Sequence, residues 1–180
     1  MQEGVSAEAG SLAGHLGLGN LVVIYDANQI SIEDDTNISF TEDVAARYRA
    51  YGWETLEVNW RTNPYKEDVH ALYEAIEAAK ANPEQPTLIT LRTIIGWPSP
   101  SKMDTGKIHG SKLGAEELAG LKVELGFDPN ENFVVSPEVI DHTRKLVSKG
   151  QALRSEWDKK FDAWKSANPE QAKLFARLEK

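Results

Sequence analysis

Short apolar runs alternate with helix-like segments in the first half of the chain, and this alternation most constrains its fold. The runs at residues 21–25, 53–58 and 87–94 have the length and the β-branched and aromatic content of buried strands. Residues 41–51 and 65–81 repeat apolar side chains at helical spacing. Strands and helices that alternate in this way form a parallel sheet, because each helix returns the chain to the starting edge. We therefore predict an α/β fold, a parallel sheet with crossover helices.

Helix-capping residues and the change of pattern after the last strand predict the boundaries. We expect Ser6 to cap a helix before the first strand and Thr41 to cap the next one, since hydroxyl oxygens accept hydrogen bonds from free backbone N–H groups. After residue 94 only helical patterns occur, at about residues 115–125, 136–148, 151–167 and from Pro169 onward. We divide the chain into an α/β domain at 1–135 and a helical extension at 136–180.

The charge and the cysteine content exclude several classes of function. The 20 Lys and Arg residues against 28 Asp and Glu residues give a net charge of −8, which disfavours binding to nucleic acid or to an anionic membrane surface. No apolar run approaches the roughly 20 residues of a membrane span, and we expect a cytoplasmic protein. With no cysteine and four histidines, any metal must be held by oxygen or imidazole ligands.

Two loops at the carboxyl ends of the predicted strands, residues 26–31 and 95–114, are the candidate site, because ligands bind there in parallel sheets. Asn28 taken alone is more often a turn residue, but its side-chain oxygen and the backbone carbonyl of Ile30 suit a hard cation such as Mg²⁺. Asp26 is a rival ligand, although its carboxylate can equally accept hydrogen bonds from loop amides. His109 taken alone is more often a surface histidine, but beside Gly110 in a long loop it can also transfer protons or bind an oxyanion.

Several separated segments resemble the transketolase family in the same order. They are residues 3–21 (EGVSAEAGSLAGHLGLGNL), 24–30 (IYDANQI), 38–44 (ISFTEDV), 47–53 (RYxAYGW), 107–114 (KIHGSKLG) and 125–127 (LGF). The resemblance covers essentially the whole chain. It implies the thiamine diphosphate-binding fold, with thiamine diphosphate bound through Mg²⁺ or Ca²⁺. It further implies a homodimeric enzyme that moves a two-carbon ketol unit from a ketose phosphate to an aldose phosphate.

The resemblance also implies roles for individual residues. Asn28 would bind the metal through its side chain, and Ile30 through its backbone carbonyl. The backbone of Ile95 would lie near the cofactor, and His109 would help proton transfer and stabilise an oxyanion. Glu3 would be linked to the dimer interface and to communication between sites.

The family's cofactor fingerprint opens with Gly-Asp-Gly, which would lie just before Gln2. The resemblance therefore implies that the carboxylate ligand of the metal, the first strands of the sheet and the next domain all lie outside residues 1–180. We expect the isolated chain to be inactive as part of a transketolase. One alternative is a non-catalytic interaction module that pairs with a full-length subunit. Another is a dihydroxyacetone- or deoxyxylulose-forming thiamine enzyme of the same fold.

Overall fold

The computed structural model describes residues 1–178 and divides into two compact units, Met1–Asn130 and a second unit from Glu131 onward. The strands are β1 (Val22–Asp26), β2 (Ile30–Ser31), β3 (Asp34–Asp35), β4 (Glu54–Asn59) and β5 (Thr87–Arg92). The helices are α1 (Gly4–His15), α2 (Val44–Ala50), α3 (Val69–Ala81), α4 (Ala115–Glu124), α5 (Pro137–Ala167) and α6 (Pro169–Leu178). Single 3₁₀ turns occur at Thr36–Ile38 and Gly106–Ile108.

A three-stranded parallel sheet in the order β1-β5-β4 lies at the centre of the first unit. Thr87 opposes both Val22 and Glu54, so the three strands start in register and their carboxyl ends meet at one edge. β5 runs between the other two and is buried along almost its whole length, which explains its continuous apolar pattern. The predicted α/β fold with crossover helices is confirmed.

One face of the sheet packs against α1 and α2. Its buried residues are Ala13, Val44, Tyr48, Trp53 and Leu88. The indole N–H of Trp53 donates a hydrogen bond to the carbonyl oxygen of Gly10 at 2.8 Å, which ties α1 to the strand region. The rings of Tyr48 and Trp53 meet edge to face at 5.0 Å between centroids, an arrangement that aromatic pairs prefer.

The opposite face packs against α3. The buried residues there are Val58, Ala79, Ile89 and Leu91. Because side chains alternate along a strand, successive residues of β5 serve the two cores in turn, and this fixes which residues face each helix layer.

The predicted helix starts differ from the observed ones. α1 begins at Gly4 with Glu3 at the N-cap, and not at Ser6, whose N–H already bonds to the Glu3 carbonyl at 3.0 Å. α2 is capped by Asp43, whose carboxylate accepts from the N–H of Ala46 at 2.9 Å, and not by Thr41. A carboxylate is at least as good an N-cap as a hydroxyl and also interacts favourably with the helix dipole.

The second unit is helical, and α5 is continuous over 31 residues, where the sequence predicted two helices separated near residue 150. A single interior glycine such as Gly150 costs only about 1 kcal/mol relative to alanine and does not break a helix. Phe161 stacks between Trp157 and Trp164, at centroid distances of 4.7 and 5.6 Å, and meets Phe175 of α6 edge to face. Within residues 1–178, no helix has both the length and the apolar character needed to cross a bilayer.

Candidate functional site

A cleft of about 260 Å³ opens at the carboxyl end of β1 and collects most of the candidate site residues. It is lined by the first residues of the chain, by the end of β1 with the loop after it, and by one residue of the long loop. The lining residues are Met1, Gln2, Glu3, Tyr25, Asp26, Asn28, Gln29, Ile30, Ser31, Thr36, Phe40 and His109. Asn28, Ile30, Glu3 and His109 therefore share one cleft, although 106 residues (109 − 3) separate the outermost two in sequence.

The Asn28 side chain is held at both ends by its own loop. Its Oδ1 accepts a hydrogen bond from the N–H of Ile30 at 3.0 Å, and its Nδ2 donates to Oδ2 of Asp26 at 3.2 Å. Gln29 between them has a φ of 65°, in the left-handed region. These bonds form an Asx-type turn, and they hold the amide oxygen on the same side as the backbone of Ile30.

The pairing of β2 with β3 directs the backbone N–H and C=O of Ile30 away from the opposite strand. The N–H of Thr36 donates to the carbonyl of Gln29 at 2.9 Å, which makes Ile30 and Asp35 a non-hydrogen-bonded pair of this antiparallel ladder. In such a pair the N–H and C=O of each residue point outward. The carbonyl of Ile30 is thus on the side that already brings its N–H to Asn28.

This donor set fits a hard divalent cation in type, because Mg²⁺ and Ca²⁺ prefer amide, carbonyl and carboxylate oxygens. The nearby carboxylate of Asp26 is partly engaged, since its Oδ1 accepts from the hydroxyl of Thr93. Among the residues that the structure describes, no group of three or more His, Asp or Glu side chains is arranged to hold a metal ion. Asn28 and Ile30 alone would supply two oxygens of an octahedral shell that Mg²⁺ usually completes with water and phosphate.

Tyr25 lines the same cleft beside Asp26. Burial raises the pKa of the Tyr25 phenol, and the negative charge of Asp26 raises it further. The phenol is therefore a neutral hydroxyl at physiological pH, able to donate as well as accept a hydrogen bond.

His109 reaches the cleft at the end of the 3₁₀ turn Gly106–Ile108, and its N–H donates to the carbonyl of Gly106 at 3.1 Å. Its Nδ1 atom is shielded from solvent and has no hydrogen-bond partner. A buried polar atom without a partner costs free energy, and native proteins rarely leave one unless a ligand or water completes it. His109 therefore brings to the wall of the cleft a ring nitrogen that still has a hydrogen bond to make.

A carboxylate on α4 holds residues 99–102 of the long loop that carries His109. Glu117 accepts hydrogen bonds from the hydroxyls of Ser99 and Ser101 and from the N–H groups of Ser101 and Lys102. These bonds, the Ser99 and Ser101 hydroxyls first, lower the pKa of Glu117 to about 2. Glu117 is therefore fully ionised at neutral pH and binds the 99–102 segment as an anion.

Three further contacts hold the loop in place. Asp104 forms a bidentate ion pair with Arg61, at 2.8 and 2.6 Å, and the N–H of Gly106 donates to Oδ1 of Asp34 at 3.0 Å. Gly96 has a φ of 69°, and a side chain there would overlap that of Ile108 next to His109. The loop thus closes on itself and on the β2–β3 hairpin that contains Ile30.

Ile95 and Glu3 differ in their relation to the cleft. Ile95 does not line the cleft. Its carbonyl accepts a hydrogen bond from the N–H of Asp104 at 3.0 Å, so this residue helps to hold the long loop. Glu3 lines the cleft and is the N-cap of α1, but its carboxylate makes no capping bond to the helix. The amino terminus before it is anchored, because the guanidinium of Arg47 donates to the Met1 carbonyl at 3.0 Å.

Sequence reasoning did not find Arg61, Asp104, Asp34 or Glu117 as parts of the site. Arg61 and Asp104 lie 43 residues apart, and Asp34 and Gly106 lie 72 apart. The only available signal was that a long loop rich in turn residues must be held by something if it carries a functional histidine.

Comparison with known proteins places these features in a family. The model of the thiamine diphosphate-binding domain of transketolase matches residues 1–180. The transketolase of Mycobacterium bovis is 51% identical over 178 residues, which cover 99% of this chain and 25% of that protein. Transketolase 2 of Saccharomyces cerevisiae is 46% identical over 178 residues, which cover 98% of this chain and 25% of that protein.

Solved structures agree with these matches. The crystal structure of transketolase from Pichia stipitis in complex with sedoheptulose-7-phosphate has a TM-score of 0.87 at 42% identity, covering 99% of this chain and 26% of that one. The transketolase from Leishmania mexicana has a TM-score of 0.86 at 38% identity, covering 97% and 25%. The chain spans about a quarter of the length of these relatives. From this match over its whole length, we conclude that the chain belongs to the transketolase family and corresponds to the family's thiamine diphosphate-binding domain.

Proposed function

We propose that this chain forms the metal- and diphosphate-binding part of a transketolase, an enzyme that transfers a two-carbon ketol unit from a ketose phosphate to an aldose phosphate. The observation that carries the proposal is the cleft in which Asn28, Ile30 and His109 meet at the carboxyl end of β1. The substrates would be sugar phosphates of the pentose phosphate pathway, as in the Pichia stipitis structure with sedoheptulose-7-phosphate.

Asn28 and Ile30 would hold a divalent cation, Mg²⁺ or Ca²⁺, through the side-chain Oδ1 and the backbone carbonyl. The Asx-type bond from the Ile30 N–H supports this assignment, because it fixes the Asn28 oxygen against the backbone of Ile30. Two neutral oxygens would suit a divalent cation bound together with an anionic diphosphate, because the diphosphate would supply the negative charge.

His109 would face the reacting end of the cofactor and substrate, with Glu3 and the backbone of Ile95 as further cofactor-side groups. When bound, thiamine diphosphate supplies the ylid chemistry by which a ketol unit is detached from one sugar and joined to another. The imidazole of His109 would hold or deliver a proton at a substrate oxygen and would stabilise negative charge there. Its buried Nδ1 without a partner supports this role, because a bound polar group would complete it.

The exposed side of α1 supports a homodimer as the assembled form. Val5 and Leu12 on this helix and Leu16 at its C-cap are each more than half exposed, and exposed apolar side chains that share a helix face are typical of protein–protein contacts. Glu3 lies at the start of the same helix, so a contact there would connect the dimer interface with the cleft.

The proposal is tested by calorimetric titration of the full-length protein with thiamine diphosphate in the presence of Mg²⁺. We expect Asn28→Ala to weaken cofactor binding by about tenfold or more, since it removes a metal ligand and the turn bond to Ile30. The matched control is Asn130→Ala, an exposed asparagine outside the cleft, and it should leave the affinity unchanged. Equal affinity of Asn28→Ala and the wild type would show that Asn28 does not bind the metal.

A further inference from the structure

A series of hydrogen bonds joins the loop that contains Asn28 to the long loop that carries His109. Asp26, which accepts from the Asn28 amide, also accepts from the hydroxyl of Thr93. The guanidinium of Arg61 donates to the carbonyl of Thr93 at 3.4 Å and to the carboxylate of Asp104. The carboxyl ends of β1, β5 and β4 are thereby linked to one residue of the long loop.

Arg61 is well held for this task by its own surroundings. Its N–H donates to the side chain of Asn59 at 2.9 Å, and the preceding Trp60 bonds through its own N–H to the Arg92 carbonyl at 3.0 Å. The Trp60 indole donates to the carbonyl of Asp68 at 3.0 Å, just before α3. The backbone from which the guanidinium extends is therefore fixed to β5 and to α3.

Asp104 takes a backbone conformation that needs an external support. Its φ is 58°, in the left-handed region that non-glycine residues rarely adopt and that Asp and Asn tolerate best. Its N–H donates to the Ile95 carbonyl at 3.0 Å, while its carboxylate takes both terminal nitrogens of Arg61. A bidentate pair is directional as well as attractive, so it fixes the orientation of the loop. Both side chains are about one-third exposed.

We propose that Arg61 and Asp104 form a positioning pair that keeps the long loop oriented so that His109 remains in the cleft beside Asn28. The importance of His109 in this inference rests on the proposed function. The contacts of Arg61 and Asp104 do not depend on that function. Neither residue touches the cleft, and both act through the loop between Ile95 and His109. The pair supplies what the glycine-rich segment around His109 lacks, a rigid connection to the sheet.

The test uses the four histidines of this 180-residue chain as reporters in the full-length protein without cofactor. Imidazole resonances of His15, His70, His109 and His142 are assigned by single substitution and followed by NMR. In Arg61→Met we expect the His109 resonance to move towards its position in the unfolded chain, while the other three stay in place. Asp104→Asn keeps a residue suited to positive φ but loses the charge and one acceptor, and it should move the same resonance. Arg61→Lys keeps the positive charge but cannot make two parallel hydrogen bonds to the Asp104 carboxylate. Its shift should therefore be smaller than that of Arg61→Met, but not zero.

Arg92→Met is the matched control, since it removes an arginine–carboxylate pair that joins β5 to Glu57 of β4 at 2.8 Å and does not involve the long loop. It should leave all four resonances unchanged. Cleavage by a lysine-specific protease at Lys102, Lys107 and Lys112 gives a second readout, and we expect it to be about tenfold faster in Arg61→Met than in Arg92→Met.

An unchanged His109 resonance in folded Asp104→Asn protein would overturn the proposal, and so would a shift of equal size in Arg92→Met. If Arg61→Met fails to fold, Asp104→Asn decides by the same criterion.

Measurements of cofactor binding and turnover keep this proposal separate from the proposed function. If wild-type protein does not bind thiamine diphosphate, the proposed function fails while the NMR result still stands. If it binds, Asp104→Asn should lower kcat and leave the cofactor Kd unchanged.

Discussion

Gly14 of α1 lies directly against the carbonyl oxygen of Tyr51, the residue that ends α2, with no room for a side chain between them. A Cβ at position 14 would overlap that oxygen and would also approach the indole of Trp53 to 3.2 Å. The contact allows the indole N–H to reach the carbonyl of Gly10, one turn earlier in the same helix. The close approach of α1 to the end of α2 is thus a direct consequence of one missing methyl group.

Gly14→Ala should therefore destabilise the first unit despite the higher helix propensity of alanine. The backbone carbonyl of Tyr51 cannot rotate out of the way as a flexible side chain would, so the helices must separate. We expect a loss of about 1–3 kcal/mol in the free energy of unfolding, measured by urea denaturation. Gly4→Ala in the same helix is the control, because a Cβ there meets nothing within 4 Å. A stabilisation of Gly14→Ala similar to that of Gly4→Ala would contradict the packing argument.

A second stability prediction concerns the centre of the sheet. Leu88 of β5 is completely buried among residues of α1, α2 and the neighbouring strands. Leu88→Ala should cost about 2–5 kcal/mol, from lost burial and from the cavity that remains. Leu125→Ala removes the same atoms from a side chain of the first unit that is 48% exposed, and it should cost clearly less. Equal costs in thermal or urea unfolding would show that the sheet core collapses around the gap.

The loop that carries His109 should respond to acid through Glu117. The pKa of Glu117 in the folded protein is about 2, below its ordinary value of 4.5, because four hydrogen bonds favour the anion. A lowered pKa means that this stabilisation is complete above about pH 4.5 and is lost as the pH falls through about 2. The stability difference between the wild type and Glu117→Gln should therefore be constant above pH 4.5 and shrink at lower pH.

The direct measurement is the carboxyl ¹³C shift of Glu117 as a function of pH. Ser101→Ala removes a hydroxyl donor and should move the titration midpoint up towards 4.5. Ser111→Ala, an exposed serine of the same loop, should leave the midpoint where it is. A wild-type midpoint near 4.5 would mean that the carboxylate does not bind the 99–102 segment in solution.

The central strand β5 could be predicted from the sequence because it is buried along almost its whole length, which its apolar run records directly. β1 and β4 have similar runs, although their side chains are largely half-buried or exposed in the structure. The helix starts could not, because Ser6, Thr41, Asp43 and Glu3 all had suitable chemistry and the tertiary contacts decided between them. The same holds for α5, where the packing of Phe161 with two tryptophans and Phe175 outweighs one glycine.

The site was predictable only in part, for a similar reason. Asn28 and His109 stood out because each follows a strand and is marked by local turn residues and by the family resemblance. Arg61 and Asp104 have no local signature, and their pairing depends on the parallel order of β4 and β5, which brings the ends of distant segments together. Their roles and those of Asn28 and His109 in catalysis stay predictions.

His109 provides the last prediction, since its role can be separated from that of Asn28 by which constant changes. In full-length protein, His109→Ala should reduce kcat by about 10²-fold or more, a typical loss for a proton-transfer group, and leave the cofactor Kd nearly unchanged. The reason is that His109 lines the cleft but is not itself one of the predicted metal ligands, which are Asn28 and Ile30. His70→Ala is the matched control, because this histidine is exposed on α3 beside Glu74 and does not line the cleft. Steady-state kinetics with a ketose phosphate donor, together with calorimetric titration of the cofactor, give both constants. A raised cofactor Kd with unchanged kcat would assign His109 to cofactor binding and would remove it from the chemical step.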